Sequence, residues 1–220
     1  MIEDKIDHTV LDKKVTMNEV RREIELAVEY GTNVCLPPIY VPIASEIFEE
    51  MDYDGEIVTV VGFPLGYSFN EVKVLEAEIA DAHGATEIDV TANLSALKSG
   101  DYEEFSKDVE TLTDQDYENV DTVKLILETG LLTTEEMVKG ARLAKEAGVD
   151  YVKTSTGFME EGATVEAVES LADTVGDELE IKASGGISSY SEVESFLDAG
   201  ATRIGASSGI DIVREFEKKE

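Results

Sequence analysis

The chain has 220 residues, of which 49 are Asp or Glu and 18 are Lys or Arg, giving a formal net charge of −31. A surface this acidic lacks the basic footprint that nucleic acids and anionic membranes require, so neither is expected as a partner. With 42% apolar residues in regularly spaced runs, the sequence should fold around a core, and its length suits one domain or two, the upper end of single-domain size being occupied chiefly by barrels and large α/β folds.

The first segment, MIEDKIDHT, is acidic and carries neither a basic flank nor an apolar stretch, and nowhere do 18 apolar residues run together. A cytoplasmic protein is expected on that basis. The charge exceeds the net value of about 2–8 usual for a small domain. It suits a salt-rich cytosol, that of a halophilic host, where screening removes self-repulsion.

Along the chain, short β-branched runs alternate with helical patterns. The strands are expected at about 5–10, 32–37, 56–63, 86–92, 121–128, 149–155, 180–185 and 201–206, each followed by a helix, the last near 208–218. Gly31, Gly84, Gly148 and Gly200 stand where helices should close before a strand. Four capping-box patterns should open helices: Thr16 with Glu19, Ser68 with Glu71, Thr133 with Glu136, and Ser189 with Glu192. Helical spacing follows in Val20, Ile24, Ala27 and Val28, in Val72, Leu75, Ile79 and Ala82, and in Val165, Val168, Leu171, Ala172 and Val175. No linker or composition break divides the units. Eight alternating units over residues 1–220 predict a single (β/α)8 TIM barrel domain, with an open doubly wound sheet as the alternative because the first strand is weak.

In such a barrel the chemistry sits at the carboxyl ends of the strands. Thirteen lysines occur, most in solvated helices or turns, but Lys124, Lys153 and Lys182 lie inside apolar strands. A strand lysine can snorkel or pair with a carboxylate. Two on consecutive strands, Lys153 and Lys182, should instead stand side by side at the barrel mouth, each disfavouring the other's charge, so that one becomes a neutral amine able to form a Schiff base. Asp89, between Ile88 and Val90, points away from both and so inward. It is either a salt-bridge partner of an inward lysine or a general acid/base. Asp7, before His8 and Thr9, has weaker standing, since an Asp there can cap a turn.

Two loops of small residues, Ser184-Gly185-Gly186 and Gly205-Ala206-Ser207-Ser208-Gly209, end the last two strands. Alone they indicate turns. At the usual barrel phosphate position, their amides predict a phosphorylated substrate. Other chemistries find little support. His8 and His83 lie in different units, so a His-rich metal site is hard to assemble. The single Cys35 excludes an internal disulfide and a cysteine-rich zinc site, and it should pack in the core.

Taken together, IDHT at 6–9, NVCLPPIYV at 33–41, VVGFPLG at 60–66, EIDVTAN at 87–93, KLILETGLL at 124–132, VKTSTGF at 152–158, IKASGGI at 181–187 and RIGASSG at 203–209 resemble the deoxyribose-phosphate aldolase (DeoC) family. The resemblance spans nearly the whole chain, and KTSTGF with KASGG is highly specific. It implies a cytoplasmic lyase of deoxyribonucleoside catabolism that reversibly cleaves 2-deoxy-D-ribose 5-phosphate to D-glyceraldehyde 3-phosphate and acetaldehyde, without metal or other cofactor. By the same resemblance Lys153 is the Schiff-base lysine, Lys182 the second lysine that lowers its pKa, Asp89 the proton donor and acceptor, and Asp7 an organiser of the lysine network. Gly157, Gly185, Gly186, Gly205, Ser207 and Ser208 would hold the phosphate, and Lys124 would give polar support near the sugar. A homo-oligomer, dimer or tetramer, is expected, on helix faces the sequence does not orient. The chain departs from the family pattern at Leu36-Pro37-Pro38 and in the Val90-Thr91-Ala92 stretch; Ser188 stands where Arg or Lys is often found, and KTSTGF continues into Met159 without a nearby cation. The rival readings are another Schiff-base sugar-phosphate aldolase, transaldolase-like in its donor, and a non-catalytic sugar-phosphate binder.

Overall fold

Runs of aliphatic and β-branched residues favour extended backbone and pack well when both faces of a parallel sheet are covered. In the computed structural model, which describes residues 1–219, eight such runs form β1 (Ile6–Thr9), β2 (Asn33–Leu36), β3 (Ile57–Val61), β4 (Glu87–Thr91), β5 (Thr122–Ile126), β6 (Tyr151–Lys153), β7 (Glu180–Ser184) and β8 (Arg203–Ala206). They pair in parallel and in sequence order, and β1 also pairs with β8, Asp7 opposite Gly205. That last pairing closes the barrel and rules out the open sheet. All eight expected strands are present, each shorter than expected at one or both ends, most of all β6.

The helices outside the barrel are α1 (Met17–Tyr30), α2 (Val41–Glu50), α3 (Asn70–Ala82), α4 (Leu94–Lys98), α5 (Tyr102–Thr113), α6 (Thr134–Glu146), α7 (Val165–Val175), α8 (Tyr190–Asp198) and α9 (Gly209–Glu217). Among the described residues no helix is long and apolar enough to cross a membrane. Capping boxes open α1, α6 and α8 through Thr16–Glu19, Thr133–Glu136 and Ser189–Glu192. Gly31, Gly84, Gly148 and Gly200 all take positive φ, which lets the chain turn from helix to strand without a Cβ penalty. The connection from β4 to β5 holds two helices, α4 and α5.

The helix α3 departs from expectation twice. Its ladder starts at the Phe69 carbonyl, which accepts from the Lys73 amide, so Ser68 lies one residue outside the cap and makes no capping bond. Its apolar stripe, Val72, Leu75, Ile79 and Ala82, faces outward, and the buried side is Lys73, Ala77, Ala80 and Asp81. The phase is set by Lys73, whose ammonium donates to both Asp108 oxygens on α5 at 2.7 and 2.8 Å and to the Thr91 carbonyl at 2.9 Å. Asp108 also accepts from the Asn93 amide at 3.1 Å. This buried ion pair ties α3 and α5 to the carboxyl end of β4, two residues beyond Asp89.

Outward strand residues such as Ile88, Val90, Leu125 and Val152 join the main core beneath the helices. The barrel interior is divided. Cys35, Val58 and Val60 on β2 and β3 make a small apolar cluster, and a group of charged side chains lies beside it. Burial pushes the Cys35 thiol up to about 11, so it packs as a neutral group.

Candidate active site

In register across β6 and β7, Lys153 stands opposite Lys182, and Lys182 opposite Arg203. The alternation of β4 turns Glu87, Asp89 and Thr91 inward as it turns Ile88 and Val90 out. The lysine pair is therefore not in bare apposition: a carboxylate lies between the two. Asp89 Oδ2 accepts from Lys153 Nζ and from Lys182 Nζ, both at 2.6 Å, while Lys124 Nζ lies 3.3 Å from Asp89 Oδ1. Lys182 also reaches Asp7 Oδ2 at 2.5 Å. Asp7 Oδ1 accepts from Arg203 at 2.9 Å and from Asn33 at 3.1 Å, and Arg203 reaches Glu87 at 3.0 Å. Glu87 closes the ring through a short contact with Lys124.

This ring holds four cations, Lys124, Lys153, Lys182 and Arg203, against three carboxylates, Asp7, Glu87 and Asp89. Lys124, Lys182 and Arg203 each face two carboxylates. Lys153 faces one, Asp89. Removing one proton balances the ring, and the ammonium with the fewest anionic partners is at Lys153. Burial alone would raise the Asp89 carboxyl, but Lys153, Lys182 and Lys124 together hold it well below the usual range. Asp7 is likewise held low, by Lys182 and Arg203 against burial. Lys182 moves the other way: burial disfavours its charge, but Asp7 and Asp89 raise it above the ordinary lysine value. The resting site thus contains an ionised Asp89, a proton acceptor, and a cationic Lys182.

Lys153 and the loops share one recess of about 690 Å³ at the carboxyl ends of the strands. Gly157, Gly185, Gly186, Gly205, Ser207 and Ser208 all line it. The ends of β6 and β7 are laced together: Thr154 Oγ1 donates to the Ser184 carbonyl at 3.1 Å, and Ser184 Oγ donates to the Ser155 carbonyl at 2.6 Å. Ser208 makes no side-chain cap bond at the start of α9, so the first amides of that helix stay available for an anion. A Cβ on Gly205 would stand 3.2 Å from Lys182 Cε, so glycine there lets Lys182 run alongside β8. Lys124 does not reach the recess. It is fully buried and takes its place in the charge ring, against Glu87 and Asp89.

Glu87, Arg203 and Glu128 were not singled out from the sequence. Glu87 could have been, because two residues before Asp89 on one strand it must share the inward face. Arg203 gave no signal, since its partners lie in β1 and β4. Glu128 sits just past β5 with left-handed backbone, φ 49°, and accepts from the Thr156 amide at 3.2 Å and from Thr156 Oγ1 at 2.5 Å. It fixes the loop that follows Lys153, and burial pushes its carboxyl up.

A family model described as DeoC/LacD family aldolase matches residues 4–215. A deoxyribose-phosphate aldolase of Caldanaerobacter subterraneus subsp. tengcongensis is 46% identical over 216 residues, covering 97% of this chain and 93% of that protein. One from Staphylococcus haemolyticus is 47% identical over 214 residues, covering 96% and 95%. Among solved structures, QR15, an aldolase, superposes with a TM-score of 0.94 at 36% identity, covering 99% of this chain and 96% of that one. The deoxyribose phosphate aldolase of Aeropyrum pernix, described as having a unique tetrameric structure, gives 0.87 at 32% identity over 100% and 92%.

Proposed function

The chain belongs to the DeoC/LacD family of aldolases, and from that premise we propose how its own residues carry the reaction. Its activity is that of a deoxyribose-phosphate aldolase, the reversible cleavage of 2-deoxy-D-ribose 5-phosphate to D-glyceraldehyde 3-phosphate and acetaldehyde. The observation that carries the assignment of roles is the position of Lys153: alone among the ring's lysines it lines the recess, with a single carboxylate, Asp89, 2.6 Å from its amine.

Neutral Lys153 attacks the sugar aldehyde, and loss of water leaves an iminium. The C2–C3 bond then breaks as the C3 hydroxyl gives up its proton, the electron pair passes into the iminium, and D-glyceraldehyde 3-phosphate departs. Protonation of the remaining enamine at carbon and hydrolysis release acetaldehyde and restore the amine. Asp89, ionised at rest and within reach of the amine, takes and returns the protons. Lys182 keeps a positive charge beside Asp89, and Asp7 with Arg203 keeps Lys182 in place. The amides of the two glycine-serine loops hold the phosphate. A donor screen tests the reading against another sugar-phosphate aldolase: acetaldehyde should condense with D-glyceraldehyde 3-phosphate, while dihydroxyacetone and its phosphate should not. Preference for either of the latter would overturn it.

The protein is read as a cytoplasmic enzyme adapted to a salt-rich, halophilic interior, the support being its charge of −31. Residues 101–121 carry nine Asp or Glu, and not all of them belong to the solvated shell, since Asp108 is buried against Lys73. A homo-oligomer completes the reading. Leu65, Tyr67, Phe69, Val72, Leu75 and Ile79 are 49–80% exposed on one connection and its helix. At about 150–250 Å² for a large side chain they present on the order of 700 Å². That exceeds the roughly 300–600 Å² patch of an ordinary monomer and approaches the roughly 800 Å² each partner gives a stable interface. A second copy is the occupant proposed.

A further inference from the structure

The recess must hold a phosphate against the field of a chain with charge −31. Its positively ionisable lining residues are His8, Lys13 and Lys153. Lys153 is committed to the carbonyl end of the substrate. His8 is buried, shares its Nε2 with Glu23 at 2.9 Å, and is shifted by burial toward the neutral form. Ser188, just past Gly185-Gly186, is engaged in helix capping: its amide donates to Glu192 at 2.9 Å and its hydroxyl at 3.2 Å, so a carboxylate and not a cation stands at that corner. That leaves Lys13.

Lys13 lies in the connection from β1 to α1, is exposed, and lines the same recess as Gly186, Ser207 and Ser208. Among the described residues it has no hydrogen bond or ion pair, although 49 acids are present. The adjacent carboxylate, Asp12, is turned to the backbone and accepts from the Lys14 amide at 2.8 Å. Lys14 does not line the recess. An ammonium on a flexible stem, lining the recess into which those loops open, adds charge where backbone amides supply only dipoles.

We propose that Lys13 supplies the cation that engages the substrate phosphate at the rim, making it a specificity-determining residue for phosphorylated over unphosphorylated sugars. This rests on the reaction assigned above, and the test separates the two by measuring binding apart from turnover. Inorganic phosphate is titrated into the full chain, the Lys13→Met variant and the Lys14→Met variant, which loses the same charge one residue away. The Kd of phosphate should rise about 3- to 10-fold in Lys13→Met, between the effect of an exposed ion pair and that of a desolvated one. Lys14→Met should bind as the parent does, and Lys13→Arg should recover affinity. In turnover, Lys13→Met should raise KM for 2-deoxy-D-ribose 5-phosphate by a similar factor with kcat kept, and leave KM for 2-deoxy-D-ribose unchanged. An unaltered phosphate Kd in Lys13→Met, an equal loss in Lys14→Met, or equal KM changes for both sugars would each overturn the proposal. Phosphate binding that follows Lys13 in a chain that does not cleave the phosphorylated sugar would instead count against the assigned reaction.

Discussion

Replacing Lys182 by Leu removes a buried cation from the charge ring. Its ammonium and that of Lys153 both lie 2.6 Å from Asp89 Oδ2, so the two nitrogens are at most about 5 Å apart. At that separation and an effective dielectric constant of about 20, two unit charges repel by about 3 kcal/mol, equivalent to about two pH units. Without Lys182 the ring is left with three cations and three carboxylates, and neutrality then favours a protonated Lys153. The pH optima of borohydride trapping with acetaldehyde and of turnover should therefore move up by about two units. Stability should also fall, by about 3–5 kcal/mol, because Asp7 and Asp89 each lose a buried partner. The Lys182 ammonium is held above its ordinary value, so the stability it lends is whole below about pH 10 and lost only as pH rises through the folded value. The loss should therefore be equally large at pH 6 and pH 8. Trapping normalised to folded protein is the assay, and a reactivity profile that stays in place would refute the electrostatic role.

Lys73→Met should cost about 3–5 kcal/mol of stability, as a broken buried pair does, and lower the melting temperature accordingly, and the double variant Lys73→Met with Asp108→Leu should recover much of it; equal melting of the single and double variants would contradict a pair held by mutual compensation. Leu75→Glu with Ile79→Lys should shift sedimentation toward the monomer, and a parent that already sediments as a monomer would remove the proposed assembly. In rising KCl the parent's melting temperature should increase as self-repulsion is screened; a flat series would argue against the salt-adapted reading.

Much of this was legible in the chain because some residues are costly where they stand. An ammonium inside an apolar strand is expensive to bury, which is why Lys153 and Lys182 stand out as a pair in the sequence. Alternation on one strand told which way Asp89 pointed. The eight strands followed from their β-branched runs, and the glycines that end helices told where four of the units close. Closure itself was less visible, since it depends on a four-residue β1 meeting β8. The phase of α3 was hidden because helical spacing shows that residues share a face and not which way it turns. There a buried Lys73, seeking Asp108 35 positions away, overrules the apolar stripe. The ring also escaped reading for a reason of distance: Arg203 meets Asp7 across 196 positions, a contact only a closed barrel creates. What the sequence pattern presented as two lysines opposing one another is, in space, two lysines sharing a carboxylate.

The identity of the nucleophile is tested most directly by reducing the enzyme with borohydride in the presence of acetaldehyde and locating the adduct by peptide mass spectrometry. A two-carbon adduct on Lys153, absent from Lys153→Met, is the expected result. Modification at Lys182 or Lys124 with Lys153 untouched would contradict the account.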